Sequence, residues 1–244
     1  MADVVGIQAA RAVLRDDAGR ARCLYLQRGR RDARFSELIA LAKETAVRFQ
    51  TMDATWFKRR QQDAAHQGVI LDCQELEIAD EGSLRERWPE LPDVPLVLIL
   101  DGITDPRNLG ACLRSANGAH VDVVILPKRR SAPLNEAALK TAQGGAENLF
   151  IVNVTNFART LEWLKAQGLW IIGADDTANM AWHEMDARVP VAVVVGSEGK
   201  GLRRLTKEHC DQLVAIPMLG SVSSLNVSVA AGILLFEAVR QRSL

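Results

Sequence analysis

The chain has 244 residues, 48% of them hydrophobic and 25% charged, and its 30 Lys+Arg balance 30 Asp+Glu for a formal net charge of +0. That is length enough for one large domain or two modest ones with a sizeable core, in ordinary globular proportions. No apolar run approaches the roughly 20 residues needed to span a bilayer.

In chain order, periodicity predicts a helix over 6–15, a strand over 23–27, a helix over 34–46, a strand over 47–52, a short helix over 54–60 and a strand over 68–71. Met1–Gly6 shows no basic segment followed by an apolar one, so no signal peptide is expected. Zero net charge hides an asymmetry: residues 1–72 hold 13 Lys+Arg and 9 Asp+Glu, and the rest of the chain 17 and 21. The positive charge clusters at Arg28, Arg30, Arg31 and Arg34, and again at Lys58, Arg59 and Arg60. Such clusters read phosphate, although a solvated face is the commoner origin of a charge run. Trp56 stands beside the second cluster, and core packing is a stronger reading for it than contact with RNA.

Residues 74–95 are Glu-rich, carry Pro89, Pro92 and Pro95 and show no sustained periodicity, which reads as a linker. From residue 96 the signal strengthens. Strands are predicted over 96–100, 121–126, 149–154, 169–173, 191–195 and 213–216, nearly all apolar and therefore covered on both faces. Helices over 109–118, 134–143, 157–167, 202–209 and 227–240 separate most of them, which predicts an α/β fold with a parallel sheet. Trp163 and Trp170 are expected in its core. Cys23, Cys73, Cys112 and Cys210 form no C-x-x-C pair, and His66, His120, His183 and His209 show no metal spacing. No metal site and no disulfide framework are expected, and reduced thiols fit a cytoplasmic protein.

Ligands of parallel α/β sheets sit outside the strand C-termini, and three loops there carry chemistry. The first is Asp101-Gly102-Ile103-Thr104-Asp105-Pro106-Arg107-Asn108-Leu109-Gly110, with Asn108 as candidate N-cap and Arg114 farther along the helix. The second, Gly196-Ser197-Glu198-Gly199-Lys200-Gly201, has the glycines for close backbone approach, but it is neither a Walker A loop nor a dinucleotide fingerprint. The third runs from Ile216-Pro217-Met218 through Ser221-Val222-Ser223-Ser224-Leu225-Asn226 into an apolar helix. Alone, its serines and Asn226 fit a helix cap as well as a ligand site.

The three motifs in this order resemble the SPOUT class of methyltransferases, and within it the TrmH-type RNA ribose 2′-O-methyltransferases, over residues 96–244. Gly6-Ile7 and His66-Gln67-Gly68-Val69 resemble the L30e-like RNA-binding domain of bacterial enzymes that methylate a guanosine ribose in 23S rRNA; Gln8 departs from the His expected there. The resemblance implies an L30e-like α/β domain over 1–73, a linker over 74–95 and a SPOUT (α/β knot) domain over 96–244 with a deep trefoil knot. It also implies S-adenosyl-L-methionine as cofactor, 23S rRNA or a large-subunit precursor as substrate, and a homodimer. By the same resemblance Arg114, Asn108, Glu198, Ser224 and Asn226 are the catalytic set. Gly196, Glu198, Gly201, Ile216, Met218, Ser224 and Leu225 hold the cofactor, and the basic clusters bind RNA. The competing expectations are the same chemistry on tRNA or another rRNA nucleotide, and a non-catalytic RNA-binding relic.

Overall fold

The computed structural model describes residues 2–30, 32–61, 66–74, 76 and 78–243, without the side chain of Ala2. The chain divides into two compact units, one of residues 1–77 with 139–148, the other of residues 78–138 with 149–244.

The first unit contains β1 (Ala2–Val5), α1 (Ile7–Asp16), β2 (Ala21–Gln27), α2 (Ala33–Glu44), β3 (Arg48–Met52), α3 (Ala54–Arg60) and β4 (Val69–Cys73). Its sheet runs β1-β4-β2-β3. β1 and β2 flank β4 antiparallel, and β3 joins β2 in parallel. Val13, Leu14, Leu24, Leu38 and Leu71 are fully buried between helices and sheet. Asp32 and Asp53 begin α2 and α3 by accepting from the amides of Phe35 and Trp56. β1 was not predicted: four residues with Asp3 among them are too short to show a period. Arg20 and Glu147 form a buried ion pair inside this unit, and Asp17 and the Gln74 carbonyl accept from the Arg20 Nε and Nη1.

The second unit follows as α4 (Glu81–Arg87), β5 (Leu96–Asp101), α5 (Pro106–Gly118), β6 (Val123–Pro127), α6 (Glu136–Ala142), β7 (Phe150–Val154), α7 (Phe157–Ala166), β8 (Trp170–Ala174), β9 (Met180–Ala181), β10 (Val191–Gly196), α8 (Arg204–His209), β11 (Gln212–Ala215) and α9 (Val227–Arg242). The C-terminal half of α6 belongs to the first unit. The sheet is wholly parallel, in the order β7-β6-β5-β10-β8-β11-β9. β5 is buried at every position and β10 at every position but its last, as near-continuous apolar runs require when helices cover both faces. The fold is the α/β architecture expected, with three corrections. The stretch 74–95 is not structureless: Asp80 caps α4, and Leu84 and Trp88 join the core of this unit. β9 is an unpredicted two-residue strand on β11. Trp170 is 49% exposed rather than a core residue.

The last helix closes this unit. Arg242 donates to the carbonyls of Val94, Pro95, Ala187 and Val189, which fastens the chain end to the base of the sheet. One turn earlier, buried Glu237 accepts from Arg240 and Gln241. The Arg240 hydrogen bond leads the causes that hold its carboxyl at about 2. A depressed folded-state value contributes stability above the ordinary carboxyl range and loses it as pH falls toward that value. Stability should therefore decline between pH 4.5 and pH 2. In Glu237→Gln the decline, followed by urea unfolding at stepped pH, should be shallower; an unchanged slope would show that this pair does not govern it.

Candidate active site

Three strand tips of the second unit converge on one amide. Asn226 begins α9, its Oδ1 accepting from the Ser228 amide at 2.9 Å and from the Ser228 hydroxyl at 2.6 Å. This leaves the Nδ2 protons facing outward. They go to Asn108 Oδ1 at 3.0 Å and to Glu198 Oε1 at 2.5 Å. One side chain thus caps a helix and ties the loop after β5 to the loop after β10. Asn108 stands in the first turn of α5 but is not its cap, a correction to the expectation above. Asp105 takes that role by accepting from Arg107, with Pro106 in the first helical turn.

The loop after β10 is shaped by its glycines. Ser197 and Gly201 exchange amide-to-carbonyl hydrogen bonds at 3.2 and 2.9 Å, and Gly199 and Gly201 adopt φ of 73° and 62°. A Cβ on Gly196 would overlap the Gly201 carbonyl and the Leu202 nitrogen. The loop stands between two clefts. The first, of about 280 Å³, is lined by Val195, Gly196, Ile216, Met218, Ser224 and Leu225, with Asp175, Asp176 and Lys207 at its other side. A lining that combines apolar side chains with Asp175, Asp176 and Lys207 suits a ligand with an apolar ring and a charged tail. Asp175 is buried and paired with Lys207. Burial raises its carboxyl, but hydrogen bonds from Lys207 and Thr177 outweigh this and hold it below the ordinary range. The second cleft lies across the loop, beside Asn108, Glu198 and the loop after β6.

The expected cofactor residues Gly196, Glu198, Gly201, Ile216, Met218, Ser224 and Leu225 all line one or both clefts. Of the expected catalytic set, Asn108, Glu198 and Asn226 are hydrogen-bonded together, and Ser224 sits exposed on the first cleft. Arg114 is not brought to them. It follows Asn108 by about 9 Å along α5 and about 240° around it. It is exposed and has no hydrogen bond or ion pair among the described residues. Sequence reasoning missed Asp175, Lys207 and Arg130, which come to the clefts only through tertiary packing. Burial pushes the Cys112 and Cys210 thiols up to about 12, which disfavours their thiolate forms. Among the described residues no group of His, Cys, Asp and Glu could hold a metal ion, and no helix is long and apolar enough to cross a membrane.

The first unit presents its own basic surface. Arg28, Arg34, Lys58 and Arg59 are exposed without ion pairs among the described residues. Arg30 is bound to Asp32 and the Gln67 carbonyl. Arg60 is engaged twice over: it grips Asp3 through two hydrogen bonds of 2.8 Å and lies 5.1 Å from the ring centroids of both Tyr25 and Trp56. Trp56 is half-buried in that stack. Arg31 lies outside the described residues.

The profile of the SpoU rRNA methylase family matches residues 95–236, and that of the RNA 2′-O ribose methyltransferase substrate-binding domain matches residues 4–79. The chain is 47% identical over 244 residues to the 23S rRNA (guanosine-2′-O-)-methyltransferase RlmB of Pseudomonas syringae pv. tomato, covering 98% of this chain and 96% of that protein. It is 45% identical over 240 residues to RlmB of Escherichia coli K12, covering 98% of both. The fold superposes on the SpoU methyltransferase AviRb from Streptomyces viridochromogenes, solved in complex with AdoMet, with a TM-score of 0.77 at 24% identity over 99% of this chain and 90% of that one.

Gly196→Ala should destabilise the second unit by about 3 kcal/mol or more, because the new methyl overlaps backbone that cannot move aside. Gly199→Ala, strained in φ but with open space around it, should cost only about 1 kcal/mol. Urea unfolding of the two variants checks the order; the reverse order would contradict this account of the loop.

Proposed function

The chain belongs to the SpoU rRNA methylase family, and from that membership we propose that it methylates the ribose 2′-hydroxyl of a guanosine in 23S rRNA with S-adenosylmethionine as donor. The observation that carries the reading is the Asn108–Asn226–Glu198 cluster set between two clefts, one with walls suited to an adenosine and one open to a second, polar ligand. RlmB relatives matched end to end name the substrate class. A relic without catalysis has no use for a carboxylate and two amides so arranged.

S-adenosylmethionine, when bound, supplies an electrophilic methyl group on a sulfonium. In the transfer the S–CH₃ bond would break with its electron pair left on sulfur, a bond from the ribose 2′-oxygen to that carbon would form, and the hydroxyl proton would pass to water. The residues of the first cleft would hold the donor: Ile216, Met218 and Leu225 flank the adenosine, and the Gly196 backbone stands close because no side chain intervenes. Asn108, Glu198, Ser224 and Asn226 would orient the hydroxyl and the methionine end, which lowers the barrier chiefly by alignment. The Arg114 guanidinium offers donors and no acceptor, so its role is to clamp the neighbouring phosphate and stabilise the developing alkoxide. It reaches the cluster in a homodimer, each site taking Arg114 from the second copy. What supports the dimer is exposed apolar surface in the loop before α9 and on one face of that helix: Leu219, Val222, Val229 and Phe236 are 97%, 60%, 48% and 51% exposed.

We also read a trefoil knot into the second unit. The family resemblance implies it, and what supports it is that β10 lies between β5 and β8, β11 lies beyond β8, and α9 then returns to pack on α5. The first unit is read as the substrate-binding domain over 1–73, with 74–95 as the connection and 96–244 as the methyltransferase domain. Arg28, Arg34, Lys58 and Arg59 are its free phosphate contacts, and Arg30, Arg31 and Arg60 complete the proposed RNA-binding set. A cytoplasmic setting, with naked 23S rRNA or a large-subunit precursor as substrate, goes with this reading.

Deleting the gene should remove one guanosine 2′-O-methyl mark from 23S rRNA, detected by ribose-methylation mapping across rRNA and tRNA. The wild-type chain should restore it; Arg114→Ala should fall by about 10²-fold or more in transfer rate while still binding S-adenosylmethionine in titration calorimetry. A mark lost from tRNA instead, or near-normal turnover in the variant, would contradict the proposal.

A further inference from the structure

The second cleft has a wall that the motifs do not account for. The loop after β6 carries Lys128-Arg129-Arg130, all exposed, and folds against the loop after β5 through the Ala132 amide, which donates to the Ile103 carbonyl at 2.6 Å. Arg130 lies on the cleft with Thr104 and Asn108, and Lys200 faces it from the glycine loop. The charged groups there differ in whether they already have partners. Asp101 is fully consumed by Arg203, which gives it both the main-chain amide and the guanidinium. Asp105 caps α5. Arg204 pairs with Glu208 at 2.6 Å. Two carboxylates remain on the cleft, Asp105 at the α5 cap and Glu198 under the Asn226 amide, and with them two cations, Arg130 and Lys200, that have no hydrogen bond or ion pair among the described residues.

Arg130 also sits at φ 62°, a left-handed conformation that favours glycine. A residue held there costs the fold about 1 kcal/mol or more, and such strain gathers where a side chain must be aimed. Glycine would fold more comfortably in that turn, and it would leave the cleft without its guanidinium.

We propose that Arg130 and Lys200 form a phosphate-binding subsite for the RNA chain, in which the phosphodiester beside the target ribose is held while the ribose 2′-oxygen faces Asn108 and Glu198. This rests on the methyltransferase reading above and adds to it the side from which the substrate enters. The glycine loop then separates two ligands, donor on the Ile216 side and RNA backbone on the Arg130 side. Both Lys200 and Glu198 border each of the two spaces. Arg130 borders only the second, so it is the residue whose loss should affect RNA alone.

The test uses the full-length chain, a 23S rRNA transcript and S-adenosylmethionine. Arg130→Gly and Lys200→Ala should each weaken transcript binding several-fold at fixed salt and lower the slope of log K against log salt by about 1. S-adenosylmethionine affinity should stay within twofold for Arg130→Gly. Its thermal midpoint should stay level or rise, because glycine relieves the strained φ, which separates lost contact from lost fold. Unchanged transcript affinity and salt slope in Arg130→Gly, in a chain whose wild type binds and methylates the transcript, would overturn the subsite and leave the methyltransferase reading standing. An equal loss of S-adenosylmethionine affinity in Arg130→Gly would also overturn it, by placing the residue on the donor side. A wild-type chain that neither binds nor methylates the transcript would remove the reading, and the subsite with it.

Discussion

The site depends on how the Asn226 amide is used. A helix N-cap needs one acceptor, and Asn226 supplies it with Oδ1. An aspartate would cap as well, but only an amide has two N–H groups left over. Those two protons hold Asn108 and Glu198 at fixed separation, and so hold the loops after β5 and β10 against the start of α9. The cluster is exposed rather than buried, so each hydrogen bond contributes only about 0.5–1.5 kcal/mol to stability. Their worth lies in orientation. Without them three loops would each find their own conformations, and the alignment of acceptor and donor that methyl transfer requires would be lost.

The rest of the second unit serves that junction. The buried strands β5 and β10 pair in register from Leu96↔Val191 to Asp101↔Gly196, so the two loops begin level with each other. The Asp101–Arg203 ion pair then binds the end of β5 to the residue before α8, which fixes both ends of the glycine loop. Gly196 is required because backbone crosses where its side chain would be. The four carbonyls held by Arg242 anchor α9 at its far end. The cap at one end and the clamp at the other leave α9 little freedom to tilt.

Much of this was legible in the sequence, for stated reasons. The runs at 96–100 and 191–195 are apolar on both faces, and only covered parallel strands have that pattern. The three loops were readable because each combines glycine, proline or amide residues that a strand tip uses and a core does not. What was missed lay below the resolution of periodicity: β1 has four residues, β9 two, and α4 is a seven-residue helix inside an acidic stretch. The Asp105 cap was readable and misjudged. Asp followed by Pro is a start signal in its own right, but Asn108 drew the assignment. Arg130 and Lys207 carry no local signal, since their place beside the clefts follows from tertiary packing. Arg114 was singled out by its motif alone; on α5 it stands about 240° around the helix from Asn108 and is not brought to the cluster.

The measurement that tests the central claim most directly compares Asn226→Asp with the wild type in single-turnover methyl transfer and in S-adenosylmethionine titration. The substitution keeps the acceptor that caps α9 but replaces the two amide donors with an oxygen facing the carboxylate of Glu198. The account predicts normal folding, S-adenosylmethionine affinity within a few-fold, and a transfer rate reduced by about 10²-fold or more. A variant that transfers at nearly the wild-type rate would show that the amide tie does not organise the site. A loss confined to donor affinity would show that Asn226 serves the first cleft alone.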